Sequence, residues 1–340
     1  MTTNTSSIFG LTAKQTQLLF SLQRLIIKAD CSIARDAKLP ALTTHGSYDL
    51  KARWLAEWDV SINNYLNSIE PKLVTKRSEE EIKALIAEID ASSETTIWKY
   101  MVLFECALYA PYYPLSKDKE EIKRYKNVSL NKRGNDDSLD SICALLSIDS
   151  KYVKIFQKSY RKSIKSISGY WQKVAISVGI GIAVVITAIV TFQYEILSYF
   201  AVSGVSGAAA ISSGLAALGG GAIAVGGAGM AGGIAVLVGG GTLLGASAGL
   251  ATGLNIANLG SDVVMIEAAK LQTILKEIIL AIQKDTKNFQ SIIMNIVEQN
   301  NKLRDELAKL KFNAEANKKK IKDLEKTISY LEKIINVKYK

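Results

Sequence analysis

The sequence predicts an all-α protein with an N-terminal helical bundle, central glycine-zipper transmembrane helices and a long C-terminal coiled coil. Apolar residues recur at intervals of three and four through the N-terminal part, which is typical of amphipathic helices. All four prolines lie at or before Pro114, and their absence from the rest of the chain favours long unbroken helices. Every charged residue except Glu195 lies outside residues 174–261, which indicates an apolar central block.

The distribution of charge and glycine divides the 340 residues into four parts. We expect a cytoplasmic helical domain at 1–137, basic juxtamembrane helices at 138–173, a glycine-rich transmembrane region at 174–261 and a coiled coil at 262–340.

The N-terminal domain contains three amphipathic patterns, which predict three helices packed in a bundle. Ser78 and Glu81 have the spacing of a capping box at the start of the third. Residues 112–137 are polar and rich in charge, and they predict a loop or a ligand-binding edge. The apolar positions are Leu18, Leu22, Leu25 and Ile26, then Trp54, Trp58, Ile62, Leu66 and Ile69, then Ile82, Leu85, Ile86 and Ile89.

The central block has the length and composition of membrane-spanning helices. Residues 174–194 are 21 residues without a charge, and residues 196–261 are a further 66. A span needs about 20 apolar residues, so the block could cross the membrane up to four times. Basic residues flank both ends, and the positive-inside rule therefore places both termini in the cytoplasm and the protein in the inner membrane. The number of crossings is then two or four.

Glycines within this block recur every fourth residue, which lays them along one side of a helix and lets a second helix approach closely. We interpret them as a helix-packing or pore-lining zipper. Glu195 lies at the end of the first span, either at the membrane surface or facing a water-filled lumen. A flexible linker and a phosphate loop are the competing interpretations of the glycines. The zipper glycines are Gly229, Gly233, Gly241, Gly245, Gly249 and Gly253.

Residues 275–335 keep one heptad register, which predicts a self-associating coiled coil about 90 Å long. Thr286, Asn300 and Asn317 interrupt the seam and could set its register or the number of strands. Pairing with an N-terminal helix of the same chain is the alternative. The residues that we expect to mediate oligomerisation are Leu275, Ile282, Ile293, Asn300, Leu307, Leu324 and Leu331.

A basic stripe precedes the central block, opposite an apolar stripe of Val153, Phe156, Tyr160, Ile164 and Ile167. Its ligand could be anionic lipid, or a phosphate-rich ligand such as an oligonucleotide whose bases stack on Tyr112, Tyr113 or Tyr125. The predicted ligand- or lipid-binding residues are Lys151, Lys154, Lys158, Lys162, Lys165, Arg124 and Lys126.

The sequence offers no catalytic motif. His45 is the single histidine, and the three cysteines, Cys31, Cys106 and Cys143, are dispersed, so neither a metal site nor an acid–base pair is indicated. We therefore expect neither an enzyme nor a bound cofactor. The first ten residues lack the pattern of a cleavable signal peptide.

The order of helical domain, basic helix, Ala/Gly-rich run from Gly219 to Gly253 and coil resembles the channel effectors of bacterial antiphage nucleotide-signalling systems of the Hailong type. The resemblance implies a homo-oligomeric ion channel. It would open on an oligonucleotide made by a partner nucleotidyltransferase and depolarise the membrane. The alternatives are an α-helical pore-forming toxin that inserts from a soluble form, and a non-conducting membrane scaffold.

Overall fold

The computed structural model describes residues 11–36, 46–69, 71–112, 119–125, 127–168 and 261–339. Within these ranges the chain forms helices and loops and no strand, so the all-α prediction is confirmed for them. The described residues belong to two compact units. Residues 12–155 form the N-terminal unit, and residues 156–168 and 261–339 lie in the C-terminal unit.

The described helices of the N-terminal unit are α1 (Ala13–Asp36), α2 (Tyr48–Ile69), α3 (Glu79–Ser92), α4 (Ile97–Ala107), α5 (Lys119–Tyr125) and α6 (Lys132–Leu146). Helix α7 (Lys151–Ser168) begins in this unit. Helix α1 is the central element, because it contacts α2, α3, α4 and α6. Its apolar residues Leu18, Leu22 and Ile26 are buried.

The three predicted amphipathic helices are α1, α2 and α3. Trp54 and Trp58 of α2 stack 6.1 Å apart, and both are fully buried. All four predicted apolar residues of α3 are buried as well. The capping box is confirmed: Ser78 Oγ accepts from the backbone N–H of Glu81 at 3.2 Å, and Glu81 Oε2 accepts from the backbone N–H of Ser78 at 2.6 Å.

The polar connection predicted at 112–137 is partly helical. It contains α5 and the start of α6, whose N-cap Asn131 accepts from the backbone N–H of Gly134 at 3.1 Å. An asparagine side chain at this position satisfies an amide that the helix leaves unpaired. The prediction of a loop is therefore wrong for residues 119–125 and 132–137.

The C-terminal unit is built around an antiparallel helical hairpin, with the end of α7 packed in the same unit. Arg304 of the hairpin pairs with Glu332, and Lys311 pairs with Glu325 at 2.9 Å. Lys311 follows Arg304 by seven residues on the first helix of the hairpin, whereas its partner Glu325 precedes Glu332 by seven residues on the second. The two helices therefore run antiparallel in this register. The elements are α8 (Ser261–Thr273), a π-helical segment (Ile274–Ile282), α9 (Thr286–Lys311) and α10 (Ala314–Ile335).

The predicted continuous coil is not present, because the helix ends twice within its register. The first end lies at Gln283, and the next residue, Lys284, has a left-handed φ of 54°. The second is the turn at Phe312 and Asn313. Each break lies beside heptad a or d positions whose side chains are small or polar: Thr286 at the first break, and Ala314 and Asn317 at the second. Such side chains would bury little apolar area in a continuous coiled coil. The chain therefore loses little stabilisation when the helix ends there and the next helix folds back on it.

The residues expected to mediate oligomerisation are mostly used inside the subunit. Leu275, Leu324 and Leu331 are fully buried, and Asn300 is buried as well. Ile282, Ile293 and Leu307 are half-buried. Intramolecular pairing is realised between two parts of the predicted coil itself. Association between copies of the chain stays a prediction.

The predicted membrane channel is contradicted. Among the described residues, no helix has both the length and the apolar character that a bilayer crossing requires. The π-helical segment is strongly apolar but has only nine residues, where about 20 are needed, and α8 carries Asp262, Glu267 and Lys270. The channel, its toxin and scaffold alternatives and the inner-membrane location are not retained. The predicted zipper glycines and Glu195 lie at 169–260, outside the described residues.

Candidate anionic-ligand interface

Helix α7 has an unusual composition for a surface helix of 18 residues, because six of its residues are basic and none is acidic. At about 100° per residue, all six fall within an arc of about 100° on the helix. We call this arc the α7 basic face. Its members are Lys151, Lys154, Lys158, Arg161, Lys162 and Lys165, and all six are exposed.

The opposite side of α7 is anchored in the protein core. All five residues of the predicted apolar stripe are buried, and Phe156 and Ile167 are fully buried. Ser163, also buried, accepts a hydrogen bond from Thr273 Oγ1 at 3.1 Å. Because one side of the helix is held, the basic side is fixed in place and presented to solvent.

Lysine also holds the C-terminal end of α7. Lys333 Nζ, on α10, donates to the backbone carbonyl of Ile167 at 2.6 Å. Sequence reasoning missed this contact, because nothing in the local pattern links residues 166 positions apart.

Asp149 organises the N-terminal end of α7. Its carboxylate accepts from the backbone N–H of Lys151 at 2.9 Å and pairs with Lys151 Nζ at 2.8 Å. These bonds lower the pKa of Asp149 and raise the pKa of Lys151. Lys151 is therefore partly neutralised.

The other five residues of the α7 basic face, from Lys154 to Lys165, form no ion pair with any described residue. Arg161 was not included among the predicted binding residues of α7, all of which are lysines. Its spacing of three from Lys158 and four from Lys165 would have identified it. The face can therefore offer five uncompensated positive charges to an anion.

The predicted aromatic partners do not join this face. The rings of Tyr112 and Tyr125 are each only 2% exposed, so neither can stack on a ligand base. Arg124 is exposed on α5. Tyr113 and Lys126 lie outside the described residues.

A buried charged cluster in the N-terminal unit is placed too deep to meet a ligand. Asp30 accepts from Lys51 Nζ and from the Tyr112 hydroxyl, both at 2.5 Å, and from the backbone N–H of Asn131 at 2.7 Å. Lys51 also donates to the carbonyl of Ser129 at 3.0 Å. The cluster joins α1 and α2 to the loops beside Tyr112 and Asn131, which gives it a structural role.

The three cysteines are buried and unpaired with one another. Burial raises the pKa of Cys31 to about 11, with nearby Asp30 adding to the effect, and burial likewise raises the pKa of Cys143 to about 11. Burial also raises the pKa of Cys106. Thiols with raised pKa values are weak nucleophiles at neutral pH.

No protein-family model, curated protein or solved structure matches the chain. The resemblance to antiphage effectors therefore stays a prediction. The ion channel that it implied is not retained. Within the described residues, His, Cys, Asp and Glu do not gather in groups of three or more that could hold a metal ion.

Proposed function

We propose that this protein binds nucleic acid and that the α7 basic face contacts its phosphate groups. The observation that carries the proposal is the uninterrupted positive charge of a helix whose other side is anchored in the core. Phosphate-rich polymers suit a row of Lys and Arg side chains without intervening acids, because each basic side chain can neutralise one phosphate. The net charge of +10 supports the same ligand class through long-range attraction.

The spacing of the charges fits a phosphate backbone. Lys154 and Lys165 are 11 residues apart, or about 16 Å along the helix at about 1.5 Å per residue. One strand of a duplex carries a phosphate about every 3.4 Å along the axis, so this length spans about five phosphates. Five uncompensated basic residues lie over the same length. A short oligonucleotide would be long enough to occupy the face.

Charge reversal on α7 tests the proposal. Binding of fluorescent 20-nucleotide thymidine DNA would be measured by anisotropy for the protein and for the variant K158E/R161E/K162E/K165E. The matched control, K28E/K76E/K83E/K302E, reverses four exposed lysines on other elements and lowers the net charge of +10 by the same eight.

We expect the α7 variant to bind about 30-fold or more weakly, from about 0.5–1 kcal/mol for each of four exposed charge contacts. The control should change affinity by much less, because its four lysines lie outside the α7 basic face; reversing Lys83 and Lys302 also removes their surface ion pairs with Glu79 and Glu298. Equal weakening by both variants would show that net charge, and not the α7 basic face, determines binding. Unchanged binding by the α7 variant would refute the proposal directly.

A further inference from the structure

The tip of the α9–α10 hairpin carries a solvent-facing aromatic ring. Phe312 lies in the turn between Lys311, the last residue of α9, and Ala314, the first residue of α10. Its side chain is 92% exposed, more than any other large apolar residue among those that the structure describes. Its backbone N–H is used at the end of α9, where it bonds to Lys309 and Leu310 carbonyls, but the ring takes no part in the core.

The sequence on both sides of Phe312 is rich in lysine. Residues 309–322 contain six lysines and one acid, Glu315, which gives this short segment a charge of 6 − 1 = +5. Lys311 is paired with Glu325 across the hairpin. The remaining five form no ion pair with any described residue. These exposed lysines are Lys309, Lys318, Lys319, Lys320 and Lys322.

The lysines lie within the first turns of the two helices on either side of the ring. Lys318 lies four residues into α10 and Lys322 eight, or about 6 and 12 Å from Ala314 along the helix. Lys309 lies in the last turn of α9. An unburied aromatic ring flanked by uncompensated lysines is the combination that binds single-stranded nucleic acid. In such sites bases stack on the ring and cations track the backbone.

We infer that this tip is a second contact for nucleic acid and that it selects single strands. An unpaired base stacks on Phe312, while Lys318, Lys319 and Lys320 contact the adjacent phosphates. Duplex DNA cannot offer a free base face within its stack, so the tip contributes less to duplex binding. The choice of ligand class rests on the function proposed for the α7 basic face, whereas the preference for single strands rests on the tip alone.

Two probes separate stacking from charge: 20-nucleotide thymidine DNA, and a 20-residue abasic strand with the same phosphates and no bases. Phe312→Ala should weaken binding of the thymidine strand by about 5- to 100-fold, as expected for the loss of one stacked base. It should leave the abasic strand unaffected. Phe312→Trp, which keeps a stacking surface, should bind the thymidine strand at least as tightly as the wild type. The variant K318E/K319E/K320E should weaken both probes.

Met294→Ala is the matched control, since Met294 is 71% exposed on α9 and outside the tip. It should change neither probe. Equal thymidine binding by wild type and Phe312→Ala would overturn the inference, as would equal loss on both probes. A change in the sedimentation coefficient of the protein alone on Phe312→Ala would also overturn it, because the tip would then contact a second copy.

The two proposals fail in different ways. If the tip inference is wrong and the α7 proposal right, α7 charge reversal weakens both probes while Phe312→Ala has no effect. If the α7 proposal is wrong and the tip inference right, Phe312→Ala still discriminates the two probes while α7 charge reversal leaves both affinities unchanged.

Discussion

Lys51 Nζ lies 2.5 Å from Asp30 Oδ2 in the interior of the N-terminal unit, and the two side chains are only 2% and 1% exposed. The Tyr112 hydroxyl and the backbone N–H of Asn131 also donate to Asp30, so the carboxylate is well satisfied. Tyr112 itself has a left-handed φ of 71°. Ion pairs this deep are stable only when further hydrogen bonds offset the loss of water around both charges.

Replacing Lys51 with Met should destabilise the protein by about 3–5 kcal/mol, because Asp30 would remain buried without its cation. The free energy of unfolding would be measured by urea titration followed by circular dichroism. Lys83→Met is the matched control, since Lys83 pairs with Glu79 at the surface and should cost less than about 1 kcal/mol. A cost below about 1 kcal/mol for Lys51→Met would contradict the structural role of the pair.

The buried thiols predict a loss of stability at alkaline pH. The pKa values of Cys31 and Cys143 are raised to about 11 in the folded protein, whereas an unfolded thiol ionises near about 8.5. Between these values the folded state binds more protons than the unfolded state, so stability falls as pH rises. This contribution is complete below about pH 8.5 and is lost through about pH 11.

Urea midpoints at pH 8, 9 and 10 would measure this loss in the wild type and in the variant C31A/C143A. The variant should show a shallower decline, although its stability at pH 8 will be lower. The comparison removes the effect of tyrosines distant from Cys31, since they ionise alike in both proteins, whereas the pKa of Tyr112 also depends on Cys31. Parallel declines for the two proteins would contradict the raised thiol pKa values.

The hairpin can be distinguished from the continuous helix that the heptads predict by one distance. Spin labels at Asp305 and Ser329, placed in a variant whose three native cysteines are replaced, sit on facing helices of the hairpin. Packed helix axes lie about 8–10 Å apart, so the labels should be within about 20 Å. A continuous helix would separate these positions by about 36 Å, since they are 24 residues apart at about 1.5 Å each. A distance near the longer value would refute the hairpin.

The sequence predicted those helices and helix ends that depend on residues three or four positions apart. Most of the predicted apolar positions of α1 and α2 and all four of α3 are buried as the helical period requires, whereas Leu25 of α1 is half-buried. The Ser78–Glu81 capping box forms at the expected helix start. The two faces of α7 follow from the same period. In each case a spacing of three or four residues is sufficient to define the side that packs.

Features that depend on distant parts of the chain were not predictable in this way. A heptad seam has the same appearance whether its partner is another chain or another part of its own helix. The chain turns at Phe312 and Asn313 and forms a hairpin where the heptads predict a continuous coil, and neither residue is the proline or glycine that commonly indicates a turn. The Asp30–Lys51 pair and the contact of Lys333 with Ile167 join residues far apart in sequence. No local pattern encodes such pairs.

The salt dependence of nucleic-acid binding tests the central claim most directly. Each phosphate neutralised on a single strand contributes about −0.7 to the slope of log K against log salt concentration. Removing the four contacts of Lys158, Arg161, Lys162 and Lys165 should therefore reduce the magnitude of the slope by about 3, measured with the 20-nucleotide thymidine strand between about 50 and 200 mM salt. The K28E/K76E/K83E/K302E control should keep the wild-type slope. Identical slopes for the wild type and the α7 variant would contradict the assignment of phosphate binding to this face.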